Sequence, residues 1–256
     1  MQDLRGKTAL VTGVANKRSI AFAVAERLAQ YGVSLAVAYQ PADEDRDEKV
    51  RKIIGEISPD LVLPLDVTLP GSLDAAFATL KERWGRLDIV VHAIASAKRE
   101  ELGGRTSDVS LEGYVLAQRV SAYSLIELAR AARPLMGDGG SLITLTYIGS
   151  ERATHNYNVM GSAKAALEAN VRYLAMELGP ERIRVNAISA GPIRTLSASG
   201  IKNFLDLLHN AEEKSALKRN VTQEEVANAA AFLASSLSSG ITGQTLFVDA
   251  GYNIWG

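Results

Sequence analysis

Tyr157 and Lys164 stand in the run Asn156-Tyr157-Asn158-Val159-Met160-Gly161-Ser162-Ala163-Lys164, with six residues between them. On a helix, positions seven apart share a face, about two turns and roughly 10 Å apart along the axis. An ammonium placed there can hold the hydroxyls of a ribose and, by its charge, lower the pKa of a nearby phenol. The phenol can then stabilise an oxyanion and supply a proton. A tyrosine and a lysine so arranged, downstream of a nucleotide-binding first half, point to a reductase site.

The elements that would position the pair alternate along the whole chain. Thr8 to Gly13 is a short apolar run ending in glycine. Val33 to Tyr39, Leu61 to Val67, Asp88 to Ile94, Ser141 to Thr146, Ile183 to Ser189 and Thr245 to Asp249 are similar. Near-continuous apolar runs predict strands buried on both faces, hence a parallel sheet. Helical patterns lie between them: Ile20 to Tyr31, Asp43 to Ile57, Ser72 to Trp84, Leu111 to Met136, Tyr157 to Leu178 and Thr222 to Leu237. The expectation is one Rossmann-type, doubly wound α/β domain over residues 1–256, with about seven parallel strands and helices on both faces. One segment interrupts the rhythm. Between Gly191 and Val221 a long connection with a short helix, Ile201 to Asn210, follows the carboxyl end of a strand, where open α/β sheets bind ligands. It reads as a mobile substrate-covering loop over about residues 192–220.

Composition narrows the function classes. The 256 residues are 47% apolar and 22% charged, enough to bury a core, and a net charge of −1 gives no case for nucleic-acid binding. There is no cysteine, which excludes disulfides and thiolate metal sites, and His92, His155 and His209 do not cluster, so no metal is expected. The start, Met1-Gln2-Asp3-Leu4-Arg5-Gly6-Lys7, lacks the apolar core of a signal peptide. The uncharged stretch Val226 to Val248 is broken by Asn228, Gly240, Gly243 and Gln244, so it reads as helix, turn and strand, not as a membrane span. The expected setting is cytoplasmic.

The first half carries the features of a dinucleotide site. Gly13 closes the first strand, and Ser19-Ile20-Ala21 opens the first helix, where backbone N–H groups face a pyrophosphate. Only one glycine of the usual three-glycine fingerprint is present, so the signal rests on its strand-to-helix context. Ser19 is placed to cap that helix or reach the phosphate. Gln40, ending the second strand, can hydrogen-bond ribose hydroxyls. The nearest base is Arg46, while Asp43, Glu44 and Asp45 would repel a 2′-phosphate, which favours NADH over NADPH unless Lys17 and Arg18 face the ribose. Asp66, beside the Val67 backbone, can accept the adenine amino group or simply sit near the next helix. Small residues after the fourth strand, Ala93 to Ala97, allow close approach of a cofactor, and His92 reads as structural.

With these motifs in place, the chain resembles the short-chain dehydrogenase/reductase superfamily over essentially its whole length. It is most similar to the superfamily's divergent branch, the bacterial enoyl-[acyl-carrier-protein] reductases. The resemblance is carried by Gly13 with Ser19-Ile20-Ala21, by Leu145-Thr146-Tyr147, by Asn156 to Gly161, and by Ala163-Lys164-Ala165 with Leu167 to Tyr173. It continues through Arg184 to Thr195, Gly240-Ile241-Thr242-Gly243 and Val248 to Tyr252. Ketone-reducing members place tyrosine four residues before the lysine and serine seventeen before it. Here those positions hold Met160 and Tyr147, and the tyrosine stands seven before, at Tyr157. Methionine cannot donate a proton, and the phenol is displaced to roughly 10 Å along the helix instead of about 6 Å. That displacement suits a substrate whose charge builds up away from the carbon receiving hydride, as in an enoyl thioester.

The resemblance implies that Lys164 holds the nicotinamide ribose, that Tyr157 donates to the enolate oxygen beside the ribose 2′-hydroxyl, and that Tyr147 positions substrate. It further implies Gly13, Ser19, Ile20, Gln40, Asp66, Val67, Ile94, Ala95, Lys164, Ile193 and Thr195 at NADH, and Ala97, Tyr147, Tyr157 and Met160 at the substrate. The implied partners are an acyl carrier protein bearing an enoyl thioester (a CoA thioester in vitro) and, through the two long helices, three more copies in a homotetramer. Several positions depart from the family pattern. Ser96 and Thr106 replace large apolar residues, His155 replaces a proline, and Leu205 and Asp206 replace basic character beside Lys202. Arg194, Lys202, Lys214, Lys218 and Arg219 remain to form a basic docking face for an acidic carrier. Two rivals stay open on the residues alone: a carbonyl reductase using Tyr147 or Tyr157, and a non-catalytic NAD(H)-binding sensor.

Overall fold

Seven short apolar runs become seven parallel strands. The computed structural model describes residues 2–195 and 204–255. The strands are β1 (Thr8–Val11), β2 (Ser34–Tyr39), β3 (Leu61–Pro64), β4 (Ile89–His92), β5 (Gly140–Thr146), β6 (Ile183–Ala190) and β7 (Thr245–Val248). They form one sheet in the order β3-β2-β1-β4-β5-β6-β7, each neighbouring pair parallel. The chain reverses its direction of winding between β1 and β4, which opens a crevice at the carboxyl ends of those strands.

Eight α-helices are described: α1 (Ile20–Gln30), α2 (Glu44–Gly55), α3 (Ser72–Trp84), α4 (Leu111–Gln118), α5 (Ser124–Ala132), α6 (Asn158–Leu178), α7 (Phe204–Lys214) and α8 (Gln223–Ala234). Both faces of the sheet are covered. Val24, Leu28, Ile54, Val226 and Ala230 from α1, α2 and α8 pack on one side. Leu80, Leu125, Leu128, Leu167 and Val171 from α3, α5 and α6 pack on the other. Each fully buried leucine contributes about 1.5–3 kcal/mol relative to exposure. Local chemistry fixes the helix starts. Asp43 accepts from Arg46 N at 2.9 Å ahead of α2, and Thr222 with Glu225 forms a reciprocal capping box at α8.

Three expectations need correction. The helix expected over Leu111 to Met136 is not continuous: a π turn, Arg119–Tyr123, separates α4 from α5, and a 3₁₀ turn, Arg133–Leu135, follows. The π turn has specific partners, since Asn170 Nδ2 donates to Ala122 O and the Ser121 hydroxyl accepts from Ser96 N. Tyr157 is not inside α6 but is its N-cap residue, following Asn156 at φ +59°. The loop helix, described from Phe204, runs on to Lys214, past the expected end at Asn210; residues 196–203, including Lys202, lie outside the described residues. The stretch Val226 to Val248 is helix, turn and strand, and among the described residues no helix is long and apolar enough to cross a membrane.

Candidate active site

A cavity of about 470 Å³ opens where the ends of β4, β5 and β6 meet the start of α6. Its walls carry eight of the expected residues: Ile20, Ala95, Ala97, Tyr147, Tyr157, Met160, Ile193 and Thr195. Phe204 and Leu207 of α7 also line it. Gly13, Ser19, Gln40, Asp66, Val67, Ile94 and Lys164 are not on its walls.

The two tyrosines meet directly. Their ring centroids are 4.9 Å apart with the planes at 71°, an edge-to-face pair. Glycine makes this possible from two sides. A Cβ on Gly149 would lie 2.6 Å from the Tyr157 ring, and one on Gly161 would lie 2.9 Å from Gly149 O. Met160 is buried beside them, its sulfur 3.7 Å from Ser121 Oγ. The position from which a ketone reductase donates is therefore filled by a thioether.

Lys164 is buried behind the cavity, its ammonium donating to Leu145 O at 2.8 Å. Burial brings it down to about 8, with the charge of Glu168 acting the other way. The expected lowering of a phenol by this ammonium is not found. Burial pushes Tyr157 up, and Tyr147 and Glu168 push in the same direction. Tyr147 is likewise raised, by burial first and by Tyr252 second, with Thr154 opposing. Both phenols thus stay protonated, which suits a hydrogen-bond donor.

At the nucleotide end, Gly13 has φ +84°, and a Cβ there would sit 2.1 Å from Ala93 O, so only glycine lets the ends of β1 and β4 approach. Ser19 occupies the N-cap position of α1 but makes no side-chain cap bond; its hydroxyl donates instead to Asn16 O at 2.6 Å. The first-turn N–H groups of α1 are left without a side-chain acceptor, which fits a pyrophosphate. Gln40 and Asp66 hold each other: Gln40 Nε2 donates to Asp66 Oδ2 at 3.1 Å, and Thr68 N and Oγ1 donate to Asp66 Oδ1. Burial would raise Asp66, but these hydrogen bonds prevail and leave it lowered. Arg119 Nη2 donates to Val67 O at 3.0 Å. Lys17 pairs with Glu56 at 2.6 Å, whereas Arg46, the base that sequence reasoning set aside, reaches the cavity wall.

The family profile described as enoyl-(acyl carrier protein) reductase matches residues 13–253. An enoyl-[acyl-carrier-protein] reductase [NADH] of Synechocystis is 54% identical over 257 residues, covering all of both chains. The chain belongs to the enoyl-[acyl-carrier-protein] reductase family. The fold agrees. A Bacillus cereus enoyl-acyl carrier protein reductase, solved with NADP⁺ and indole naphthyridinone, is 49% identical with a TM-score of 0.96 over 100% of both chains. An Anaplasma phagocytophilum reductase solved with NAD is 43% identical with a TM-score of 0.94, over 99% of this chain and 96% of that one.

Against this family background, Glu168 and Ser121, which the sequence reading passed over, stand out. Glu168 is buried and accepts from Thr146 Oγ1 and Ser150 Oγ, both at 2.6 Å. Ser121, brought in by the π turn, binds the backbone of Ser96 on the cavity wall. His92 is fully buried between Thr144 Oγ1 at 2.8 Å and Ser124 Oγ at 2.7 Å, and burial, with Lys164 nearby, holds it down to about 3. Ser96 lines the main cavity, but Thr106 does not; it lines a separate one of about 330 Å³ with Leu111 and Tyr114. The basic face is thinner than expected. Arg219 is committed to Glu225 at 2.6 Å, and Lys218 lies over Trp255 and donates to Glu213 O. Among the described residues no cluster could hold a metal ion.

Proposed function

We propose that this chain reduces the trans-2 double bond of enoyl thioesters on acyl carrier protein, using NADH, in fatty-acid elongation. The carrying observation is the Tyr147–Tyr157 pair over a cavity in which Met160 takes the ketone reductase's donor position. In this reading Gly13, Ser19 and Ile20 receive the pyrophosphate at the start of α1, while Gln40, Asp66 and Val67 hold the adenosine end. Ile94, Ala95, Lys164, Ile193 and Thr195 hold the nicotinamide end. NADH supplies the hydride when bound.

Tyr157, kept protonated by burial, donates a hydrogen bond to the thioester oxygen as negative charge gathers there. Tyr147 and Met160 hold the acyl chain against it, with Ala97 at the edge of the site. Lys164 supplies positive charge beneath the ribose. Phe204 and Leu207 exclude water, which strengthens the Tyr157 hydrogen bond. Protonation at the α-carbon completes the reduction. Crotonyl-CoA and acetoacetyl-CoA, offered separately with NADH, test this: consumption of NADH with acetoacetyl-CoA alone would establish the carbonyl-reductase alternative.

The whole chain acts as one catalytic domain in the cytoplasm and assembles as a homotetramer. Exposed Tyr173 and Met176 on α6, with Leu111 and Val115 on α4, support the assembly. A monomer by light scattering would contradict it.

A further inference from the structure

Glu168 has no part in the steps above, yet it is 6% exposed and sits one turn beyond Lys164 on α6. Its Oε1 takes both short hydrogen bonds, from Thr146 Oγ1 and Ser150 Oγ at 2.6 Å. These two residues bracket Tyr147: Thr146 ends β5, and Ser150 closes the 3₁₀ turn Ile148–Ser150. Lys164 meanwhile holds Leu145 O. Two side chains one turn apart on α6 thus grip consecutive residues at the end of β5. A buried carboxylate is costly unless it is paired and hydrogen-bonded. Two hydroxyls satisfy its hydrogen bonds but not its charge.

The surrounding groups leave Lys164 as its buried electrostatic counterpart; Arg172, one turn further along α6, is exposed. Tyr157 at the N-cap of α6 and Tyr147 after β5 are kept protonated, and His92 on β4 is kept neutral, all by burial. Arg184 on β6 turns to the carbonyls of Leu233 and Ser235. Arg119 on the π turn pairs with Glu127 of α5, and Glu112 of α4 pairs with Lys98. Arg130 of α5 lines a different cavity with Arg133 and Glu181.

We propose that Glu168 is a positioning residue: its charge keeps Lys164 cationic for nucleotide binding, and its two hydroxyl contacts hold Tyr147 edge-on to Tyr157. The inference rests on Lys164 serving NADH, so the first readout is NADH fluorescence binding across pH, not turnover. Glu168→Gln keeps an acceptor and removes the charge. Its alkaline loss of NADH binding should begin about one pH unit below wild type, a tenfold change in affinity on that limb, with near-normal binding at about pH 6. Glu168→Asp keeps the charge with a shorter reach. Its limb should stay with wild type while turnover falls about tenfold as the Tyr147 turn loosens. Superimposable limbs for wild type and Glu168→Gln would overturn the proposal, as would a one-unit shift in Glu168→Asp. A wild-type chain that binds NADH but does not reduce an enoyl thioester would sink the proposed reaction instead, and the binding profile would still judge Glu168.

Discussion

Gly149 offers a way to move the two phenols without touching either. Its φ is not in the left-handed region, so alanine meets no backbone strain there. The obstacle is purely steric: a Cβ would stand 2.6 and 2.9 Å from two Tyr157 ring carbons and 3.1 Å from a Tyr147 ring carbon. Carbon atoms settle at about 3.5–4.0 Å, so the Tyr157 ring must move by about 1 Å. The ring cannot recoil freely, because it is buried and Gly161 is itself packed against Gly149 O. Overpacking of this kind costs about 1–3 kcal/mol of stability. A misplacement of about 1 Å at a reacting group costs on the order of 100-fold in rate. Gly149→Ala should therefore unfold at lower urea, by about 1–3 kcal/mol, and lose on the order of 100-fold in kcat/KM for crotonyl-CoA. NADH binding should change by less than about threefold, because the clash is on the substrate side. Wild-type kcat/KM in a folded Gly149→Ala protein would refute the idea that the geometry of the tyrosine pair governs catalysis.

Tyr157→Phe should lower kcat by about 100- to 1,000-fold, the usual cost of an oxyanion donor, whereas Lys164→Ala should lower turnover and weaken NADH as well; steady-state kinetics with fluorescence titration separate the two, and full activity in either variant denies its role. His92 is held near 3 in the fold against 6.5 for the free side chain, so the unfolded chain takes up the proton first. Its contribution to stability is complete above about pH 6.5 and declines as pH falls toward 3, by about 1.4 kcal/mol per pH unit. Urea unfolding between those pH values should show a shallower acid loss in His92→Gln, and equal slopes would remove His92 as the cause. Arg46 reaches the cavity beside acids, so wild type should prefer NADH by specificity constant, and Arg46→Ala should deepen that preference; a wild-type preference for NADPH would contradict it.

Strand and helix alternation was readable because β1 and β4 are apolar but for Thr8 and His92, and burial on both faces writes that pattern; β6, buried nearly throughout, still carries Arg184, Asn186 and Ser189. The register of Met160 against Lys164 was equally readable, since both lie within α6, whereas Tyr157 stands at the N-cap, outside the helical spacing. The break at Arg119–Tyr123 was not, because a single π turn shifts the apolar stripe over too short a stretch to stand out in the sequence and reveals itself only through partners far in sequence, such as Ser96 and Asn170. Glu168 escaped for a related reason. A glutamate four residues after a lysine looks like a solvated helix pair, and nothing in the local sequence tells that Thr146 and Ser150 close over it. Ser19 was legible as an N-cap position but not as a hydroxyl turned away to Asn16. Arg46 was discounted from its acidic neighbours, although the α2 N-terminus aims its side chain toward the cavity. Of the expected docking charges, Lys202 lies outside the described residues, and the Arg219–Glu225 pair depends on the helix start at Thr222.

The claim that charge builds on the thioester oxygen, away from the carbon receiving hydride, is tested most directly by isotope placement. Crotonyl-CoA reduced by the wild-type chain with NADH deuterated at the transferable position should give butyryl-CoA with deuterium at the β-carbon and a solvent proton at the α-carbon. Deuterium at the α-carbon, or no butyryl-CoA at all while reduced acetoacetyl-CoA carries deuterium on its hydroxyl-bearing carbon, would contradict the account.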